Sequence, residues 1–321
     1  MKRFLSILSL FVAIMFLIGL IKLALSPNSN YSYPFLNAKK EYLKQHPEYN
    51  LYFIGSSKIN DQIDCQVIDE NIHGLKSYNL GANAGFNLEN FQTLKSVLED
   101  PSFQPKYIVL ELQDKINITK LNLKTERSFG AFNYENTVFA THFQIDNGNY
   151  KQVGLAWASF VLNVFRFNKH CDEKAIKDNY NSSVYKNQGF SPLEDSTVPR
   201  TEENELKNVI KDRLERYHAD DKKHSPNKAL VEKINELADQ CEKRNIKLIM
   251  LIPGPAEPDA KKLLTYRNAF KVPVISLVDP EEYPAFYLYE NRWDYGHLNE
   301  RGSKILSKEL VPLLKNVLEK K

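Results

Sequence analysis

The chain opens on an apolar stretch with no polar face. From Phe4 to Ile21 only Ser6, Ser9 and Gly19 interrupt the hydrophobic side chains, and after Lys22 the run Leu23-Ala24-Leu25 extends it. A run of about 18 or more such residues crosses a bilayer as a helix. Next comes Pro27–Pro34, a small, polar, proline-bounded linker, and then Asn37–Pro47, read as a short charged helix. From Leu51 the pattern changes to short apolar runs that alternate with helical periods. The runs Leu51–Gly55, Ser77–Leu80, Tyr107–Leu112, Ile246–Ile252 and Val272–Val278 predict five strands. Helices are predicted over Asp61–Ile72, with Ile63, Val67, Ile68 and Ile72 on one face, over Leu88–Leu98, and over Asn227–Arg244, with Leu230, Ile234, Leu237 and Cys241 at helical spacing. Two more are predicted over Asp259–Phe270 and Asn299–Leu318. Strands separated by helices imply a parallel sheet covered on both faces, joined by right-handed crossovers. The predicted fold is α/β: a three-layer α/β/α sandwich around a five-stranded parallel sheet, with an N-terminal transmembrane helix.

Between the third and fourth strands lies a long insertion, about 115–225, rich in Asn and Tyr and without a clean period. At the carboxyl end of a strand such an insertion is expected to form a cap or lid. Within it Val153–Phe165 is apolar. It is read first as a helix packed on the domain, with the lining of a substrate groove or a membrane contact as alternatives. The organisation is therefore a signal-anchor over 1–26, a linker over 27–48 and an α/β domain over 49–321 that carries the insertion. No internal repeat or low-complexity tract is present.

Charge sets the expected orientation. Lys2 and Arg3 precede the apolar run, and after Lys22 no Lys or Arg occurs until Lys39. That asymmetry favours an N-terminus in the cytoplasm and the bulk of the chain outside. A cleaved signal peptide is the rival reading, but the run is long for one, and its best small-residue site, Ala24-Leu25-Ser26, is followed directly by Pro27. The net charge of +3 is too mild to argue for a nucleic-acid partner. Three cysteines, Cys65, Cys171 and Cys241, show neither CxxC nor metal spacing. No phosphate-binding or dinucleotide fingerprint occurs, and neither a metal nor a cofactor is expected.

Candidate chemistry sits at the two ends of the predicted sheet domain. Leu51–Ser57, LYFIGSS, is a buried strand opening into a tight turn, the place where parallel α/β proteins hold ligands and nucleophiles. Trp293–Leu310 puts Asp294 three residues before His297, just ahead of an amphipathic helix. A serine at a strand end with an acid and a histidine on a distant loop is the material of a nucleophilic triad. The remaining histidines (His46, His73, His142, His170, His218 and His224) lack such a pattern and are read as surface or loop residues. Glu111, at the end of the third strand, is read as structural, hydrogen-bonded to a loop. The turn at Gly254 after the fourth strand is expected to face the site, and Lys207–Lys223 to be a solvated helix face.

Gly55-Ser56-Ser57 after the first strand, Asn79-Leu80-Gly81 after the second, and the tail Asp294-Tyr295-Gly296-His297-Leu298-Asn299-Glu300-Arg301-Gly302 together resemble the SGNH (GDSL-type) hydrolase superfamily. The likeness covers Leu51–Leu112 and Lys247–Leu318. It is nearest to membrane-anchored, extracytoplasmic members such as the D-alanyl-lipoteichoic acid biosynthesis proteins and the acetyltransferase-like proteins of exopolysaccharide assembly. The resemblance implies Ser57 as nucleophile, His297 as its base and Asp294 as the group that fixes the imidazole tautomer. It also implies the backbone N–H groups of Ser57 and Gly81 as oxyanion donors. One departure stands out. The superfamily's GxND block supplies an Asn as third donor, whereas here the third strand ends Glu111-Leu112-Gln113-Asp114. Asn83 and Gln113 are the two candidates for that role. The expected activity is transfer of an ester-linked acyl group to water or to a sugar or polyol hydroxyl. The expected substrate is an acylated saccharide or polyol of the cell envelope, with a membrane-bound acyltransferase as a possible partner. Two other readings stay open: an inactive binding or scaffold subunit, which the missing Asn favours, and a lipase with Val153–Phe165 as an apolar lid.

Overall fold

The computed structural model describes residues 2–25, 34–83, 87–116, 118, 131–165, 181–194, 202–255 and 260–319. They form two compact units: Met1–Pro34 with Ile116–Glu173, and Phe35–Lys115 with Lys174–Lys321. The linker residues 27–33, Gly85, His170, Cys171 and Asp259 lie outside the described residues.

The larger unit holds the sheet. Its strands are β1 (Leu51–Ile54), β2 (Ser77–Asn79), β3 (Tyr107–Glu111), β4 (Lys247–Ile252) and β5 (Val274–Ser276), all parallel, in the order β2-β1-β3-β4-β5. The register pairs Leu51 with Ser77 and with Tyr107, Tyr107 with Lys247, and Met250 with Val274. The five observed strands fall inside the five predicted ones; β1 and most of β4 read as unbroken hydrophobic segments because they are buried on both faces. This is the α/β architecture that the alternation predicts.

Counted along the chain, α1 is Lys2–Leu25, α2 Pro34–Lys44, α3 Ser57–Asn60, α4 Cys65–Asn71 and α5 Asn87–Glu99. Then come α6 (Tyr134–Asp146), α7 (Tyr150–Phe165), α8 (Asn181–Tyr185), α9 (Glu203–Ala219), α10 (Lys228–Glu242), α11 (Ala260–Leu264) and α12 (Glu300–Glu319). One sheet face, with Leu51, Phe53, Val109, Ile249, Leu251 and Ile275, packs on Ile68 of α4 and on Leu306, Leu310 and Leu314 of α12. On the other face α5 meets β1 and α10 meets β4.

The helix predicted over Asp61–Ile72 is shorter, α4 over Cys65–Asn71, and a separate short helix, α3, precedes it. The chain turns at Asp61–Asp64, and Asp64 caps α4 by accepting a hydrogen bond from the Gln66 amide at 3.0 Å. Short Asp side chains compete for backbone N–H groups in this way and so favour caps over helix interiors. The helix expected over Asp259–Phe270 is shorter, α11 followed by a 3₁₀ turn over Thr265–Asn268. The segment α2, within the predicted linker, belongs to the sheet unit and buries Phe35, Leu36, Lys39 and Leu43.

The insertion is divided. Its later part, with α8 and α9, belongs to the sheet unit. After α8 the chain runs along the outer edge of β2: Gln188 O accepts from the Asn79 amide at 2.8 Å, the Ser191 amide donates to Asn60 O at 2.9 Å, and Leu193 O accepts from the Glu300 amide at 3.1 Å.

The smaller unit is helical. The described helix α1 is long and apolar enough to cross a membrane. It packs on α7, which in turn packs on α6. Val153–Phe165 is thus helical and packs within this smaller unit.

Candidate active site

The turn after β1 is held from the neighbouring strand. Glu111, the last residue of β3, accepts from the Ser56 amide at 2.5 Å and from the Ser56 hydroxyl at 3.0 Å, both inside the protein. Ser56 Oγ also caps α3, accepting from the Lys58 amide at 3.2 Å. Gly55 lets the carboxylate come this close, since a Cβ there would lie 2.5 Å from Glu111 Oε2. Ser57 follows as the first residue of α3. Lys58 Nζ donates to Pro255 O at 3.1 Å, which ties the turn after β4 to the same helix.

The second component is the loop ahead of α12. Asp294 Oδ1 accepts from the amides of Gly296 at 2.7 Å and His297 at 2.8 Å, so the loop folds around its own carboxylate. The Trp293 amide donates to His297 O at 3.0 Å, and Arg292 and Leu298 form a bridge that closes the turn. The buried Arg292 guanidinium donates to Phe286 O at 3.3 Å, to Asp294 O at 3.2 Å and to Tyr295 O. A buried guanidinium with its N–H groups on backbone carbonyls fixes the path of a loop that has little regular structure.

Two further sets of bonds draw this loop onto the segment after Ser57. The Leu298 amide donates to Gln62 Oε1 at 3.0 Å. On the inner face of α12, Ser303 Oγ donates to Asp61 O at 3.0 Å, and Ser307 Oγ accepts from the Asp64 amide at 2.8 Å. Gly302 lets the start of α12 lie against Asn291 of the preceding loop, because a Cβ there would strike Asn291 O.

The result is direct contact between the two ends of the sheet domain. Ser57 Oγ lies 2.7 Å from His297 Nε2, and His297 Nδ1 lies 2.9 and 3.0 Å from the two oxygens of Asp294. With the Nδ1 proton on the carboxylate side, Nε2 is left as an acceptor for the serine hydroxyl. Burial pushes the Asp294 carboxyl up. The His297 hydrogen bond and charge, together with the two backbone N–H groups, outweigh it and hold the group at about 2. Asp294 is therefore an anion at neutral pH, suited to stabilise an imidazolium. Compared with known proteins, the chain matches no family model and no curated relative.

The four residues read as oxyanion donors are placed differently from one another. Among the described residues nothing accepts the Ser57 amide, which stands in the first turn of α3, where a helix has no partner of its own for it. The Gly81 amide donates to Asn79 Oδ1 at 2.8 Å, while Asn79 Nδ2 donates to Ile59 O at 2.6 Å and Ile63 O at 3.0 Å. Gly81 thus meets an oxyanion only by sharing or releasing its Asn79 bond. Asn83 is turned to Asp61: in the orientation that satisfies its amide, the nitrogen donates to both Asp61 oxygens at 3.0 and 3.1 Å. Gln113 stands just past β3, and its carbonyl accepts from Asn87 Nδ2.

Two charged residues beside the site were not singled out from the sequence. Lys39 of α2 is fully buried; its Nζ donates to Asn60 Oδ1 at 2.6 Å and Gly81 O at 2.8 Å and lies 4.4 Å from the centre of the Phe35 ring. Burial pulls the ammonium down to about 7, with Asp61 acting against the shift. Asp61, also buried, accepts from Asn60 Nδ2 at 2.5 Å. Burial pushes its carboxyl up to about 6, against the lowering effects of His297, the Asn60 hydrogen bond and Lys39. The signal for Lys39 was its register: it sits between Leu36 and Leu43 at helical spacing, on the face of α2 that is buried. Elsewhere, His46 and His224 pair locally with Glu48 at 3.0 Å and Asp220 at 2.7 Å.

Proposed function

We propose that the protein is a membrane-anchored serine esterase or O-acyltransferase of SGNH type, with its sheet domain outside the cytoplasm. The single observation that carries this reading is the chain of contacts from Ser57 Oγ through His297 to Asp294, at 2.7 Å and then 2.9 Å. Ser57 Oγ attacks the carbonyl carbon of an ester while its proton passes to His297 Nε2. Asp294 stabilises the imidazolium. Collapse of the tetrahedral intermediate breaks the bond to the leaving alkoxide, which takes the proton back from His297. A second hydroxyl then gives its proton to His297 and attacks the acyl-Ser57 ester; collapse releases the acyl group and returns the proton to Ser57. Water in that step makes the protein an esterase, and a sugar or polyol hydroxyl makes it an O-acyltransferase. The substrate class proposed, acylated glycans of the cell envelope, rests on the resemblance of the GSS, NLG and DxxHLNxxG segments. The outward placement rests on Lys2 and Arg3 ahead of α1.

Fluorophosphonate labelling of the full chain tests the reading. Wild type is expected to label at Ser57, and Ser57→Ala and His297→Ala are not. Equal labelling of wild type and Ser57→Ala would sink it. A second reading, an inactive subunit of an envelope assembly, is favoured by one specific observation: the Gly81 amide is already held by Asn79. Absence of labelling in a folded wild type would support that alternative.

A further inference from the structure

The helix α7 is built inside out. Its buried residues include the polar Ser159 and Asn163, together with Ala156, Phe160 and Val164. Ser159 Oγ donates to Leu155 O at 2.8 Å and Asn163 Nδ2 to Phe132 O at 3.3 Å, so both polar groups are satisfied inward. The opposite face, Gly154, Trp157, Ala158, Val161 and Leu162, follows helical spacing and is exposed, Leu162 by 50%. A helix on a water-facing surface has the reverse arrangement. Between Lys151 and Arg166 the sequence has no charged residue.

What lies against α7 indicates what covers that face. Within the same unit α7 packs on α1, where, from Arg3 to Ile21, Met15, Phe16 and Gly19 are the partly or fully covered positions and the other large apolar side chains are exposed. The contact is close: a Cβ on Gly19 would overlap Val164. Small residues bring helices together this way in lipid. A helix packed at Gly19, near the carboxyl end of α1, shares the solvent of that end.

We propose that α7 is embedded beside α1 in the outer leaflet, with Trp157, Val161 and Leu162 against lipid acyl chains. This rests on the reading of α1 as a membrane anchor with its amino end inside. At 16 residues α7 is about 24 Å long, too short to cross a hydrocarbon core of about 30 Å. It enters one leaflet without spanning the membrane. Tyr134, 6.4 Å from Trp157 between ring centres and itself exposed, supplies the kind of aromatic pair found at a lipid–water boundary.

The protein has two tryptophans, Trp157 and the buried Trp293, which makes the test direct. Full-length Trp293→Phe and Trp157→Phe variants are reconstituted in phosphatidylcholine vesicles with brominated acyl chains. Emission from Trp157 alone is expected to be lost relative to unbrominated vesicles, and emission from Trp293 alone to be retained. If Trp293→Phe does not fold, the difference between wild type and Trp157→Phe gives the same answer. Trp157 emission insensitive to bromine but quenched by iodide would put the face in water and overturn the proposal. Insensitivity to both would place a second protein surface there and overturn it equally. Carbonate extraction separates the two layers of the argument. Protein released by carbonate refutes the anchor and this proposal together. Protein retained with Trp157 unquenched refutes this proposal alone.

Discussion

Ser57 Oγ and His297 Nε2 lie 2.7 Å apart although 240 residues separate them in the chain. Neither residue reaches the other through its own element. The serine is placed by Glu111 on the next strand, and the histidine by a loop folded around Asp294 and fastened through Leu298 and Ser303 to the segment after Ser57. In the proposed reaction Ser57→Ala is expected to lower kcat on acetyl esters by about 10⁴- to 10⁶-fold, with circular dichroism unchanged. Asp294→Asn is expected to lower it by about 10⁴-fold, because the amide favours the wrong imidazole tautomer. Initial-rate kinetics check both.

Glu111 acts on the site through Ser56. Glu111→Ala removes the acceptor for a buried amide and a buried hydroxyl, and is expected to cost about 2–6 kcal/mol of stability, one to three for each donor left unpaired. Glu111→Gln keeps a carbonyl for one of the two bonds and should fall between wild type and Ala. Denaturant unfolding of the three proteins gives the ranking. A Glu111→Ala protein as stable as wild type would contradict this account of the turn.

Two glycines near the site should respond differently. A Cβ at Gly81 would overlap the Asn60 backbone nitrogen and lie 2.8 Å from Asn60 Cα. At Gly296 the one neighbour within 4 Å among the described residues, its chain neighbours aside, is Asp294 Oδ1, at 3.7 Å. Gly81→Ala is therefore expected to destabilise the sheet domain by about 1–3 kcal/mol through backbone displacement. Gly296→Ala should leave its melting temperature within error of wild type. Thermal denaturation followed by tryptophan fluorescence distinguishes them, since Trp293 adjoins the site loop.

Lys39 predicts a pH dependence of stability. Its folded value of about 7 is below the ordinary lysine value of 10.5. Between these limits the unfolded chain binds the proton more tightly, so stability rises as pH increases from 7 to 10.5. The slope from this one group is at most on the order of 1.4 kcal/mol per pH unit. Lys39→Met should remove it, so the difference in unfolding free energy between wild type and Lys39→Met should shift in favour of wild type as pH rises from about 7 to about 9. Parallel pH profiles would show that the ammonium is not held as its surroundings imply.

The sheet was legible because strands buried on both faces, β1 and β4 above all, leave short apolar runs that alternate with helical periods. Ser57, Asp294 and His297 were legible because turn chemistry and a three-residue spacing are local. Other features came from long-range contact. Lys39 reads as an ordinary surface lysine until α2 is seen to bury its Leu36 and Leu43 face, which brings the ammonium onto the Gly81 carbonyl. The Gly81 amide reads as an open donor until Asn79 is seen turned back on it. The late start of the helix predicted from Asp61 had a local signal, the cap Asp64, but the hydrophobic period ran across it. The character of α7 was hidden differently: its apolar residues suggested packing, and only the inward placement of Ser159 and Asn163 shows which side is which.

The path of the chain past Gln188, Ser191 and Leu193 has a bearing on tolerance to change. That short return lies along the outer edge of β2 and takes the Asn79 amide at Gln188, an edge otherwise open to pairing with a neighbouring molecule. It also fastens Asn60 to the first residue of α12, on either side of the serine–histidine contact. Shortening the insertion ahead of Asn181 should therefore leave the sheet domain well behaved, whereas excising 181–194 should uncover a sticky border and yield oligomers or fibres.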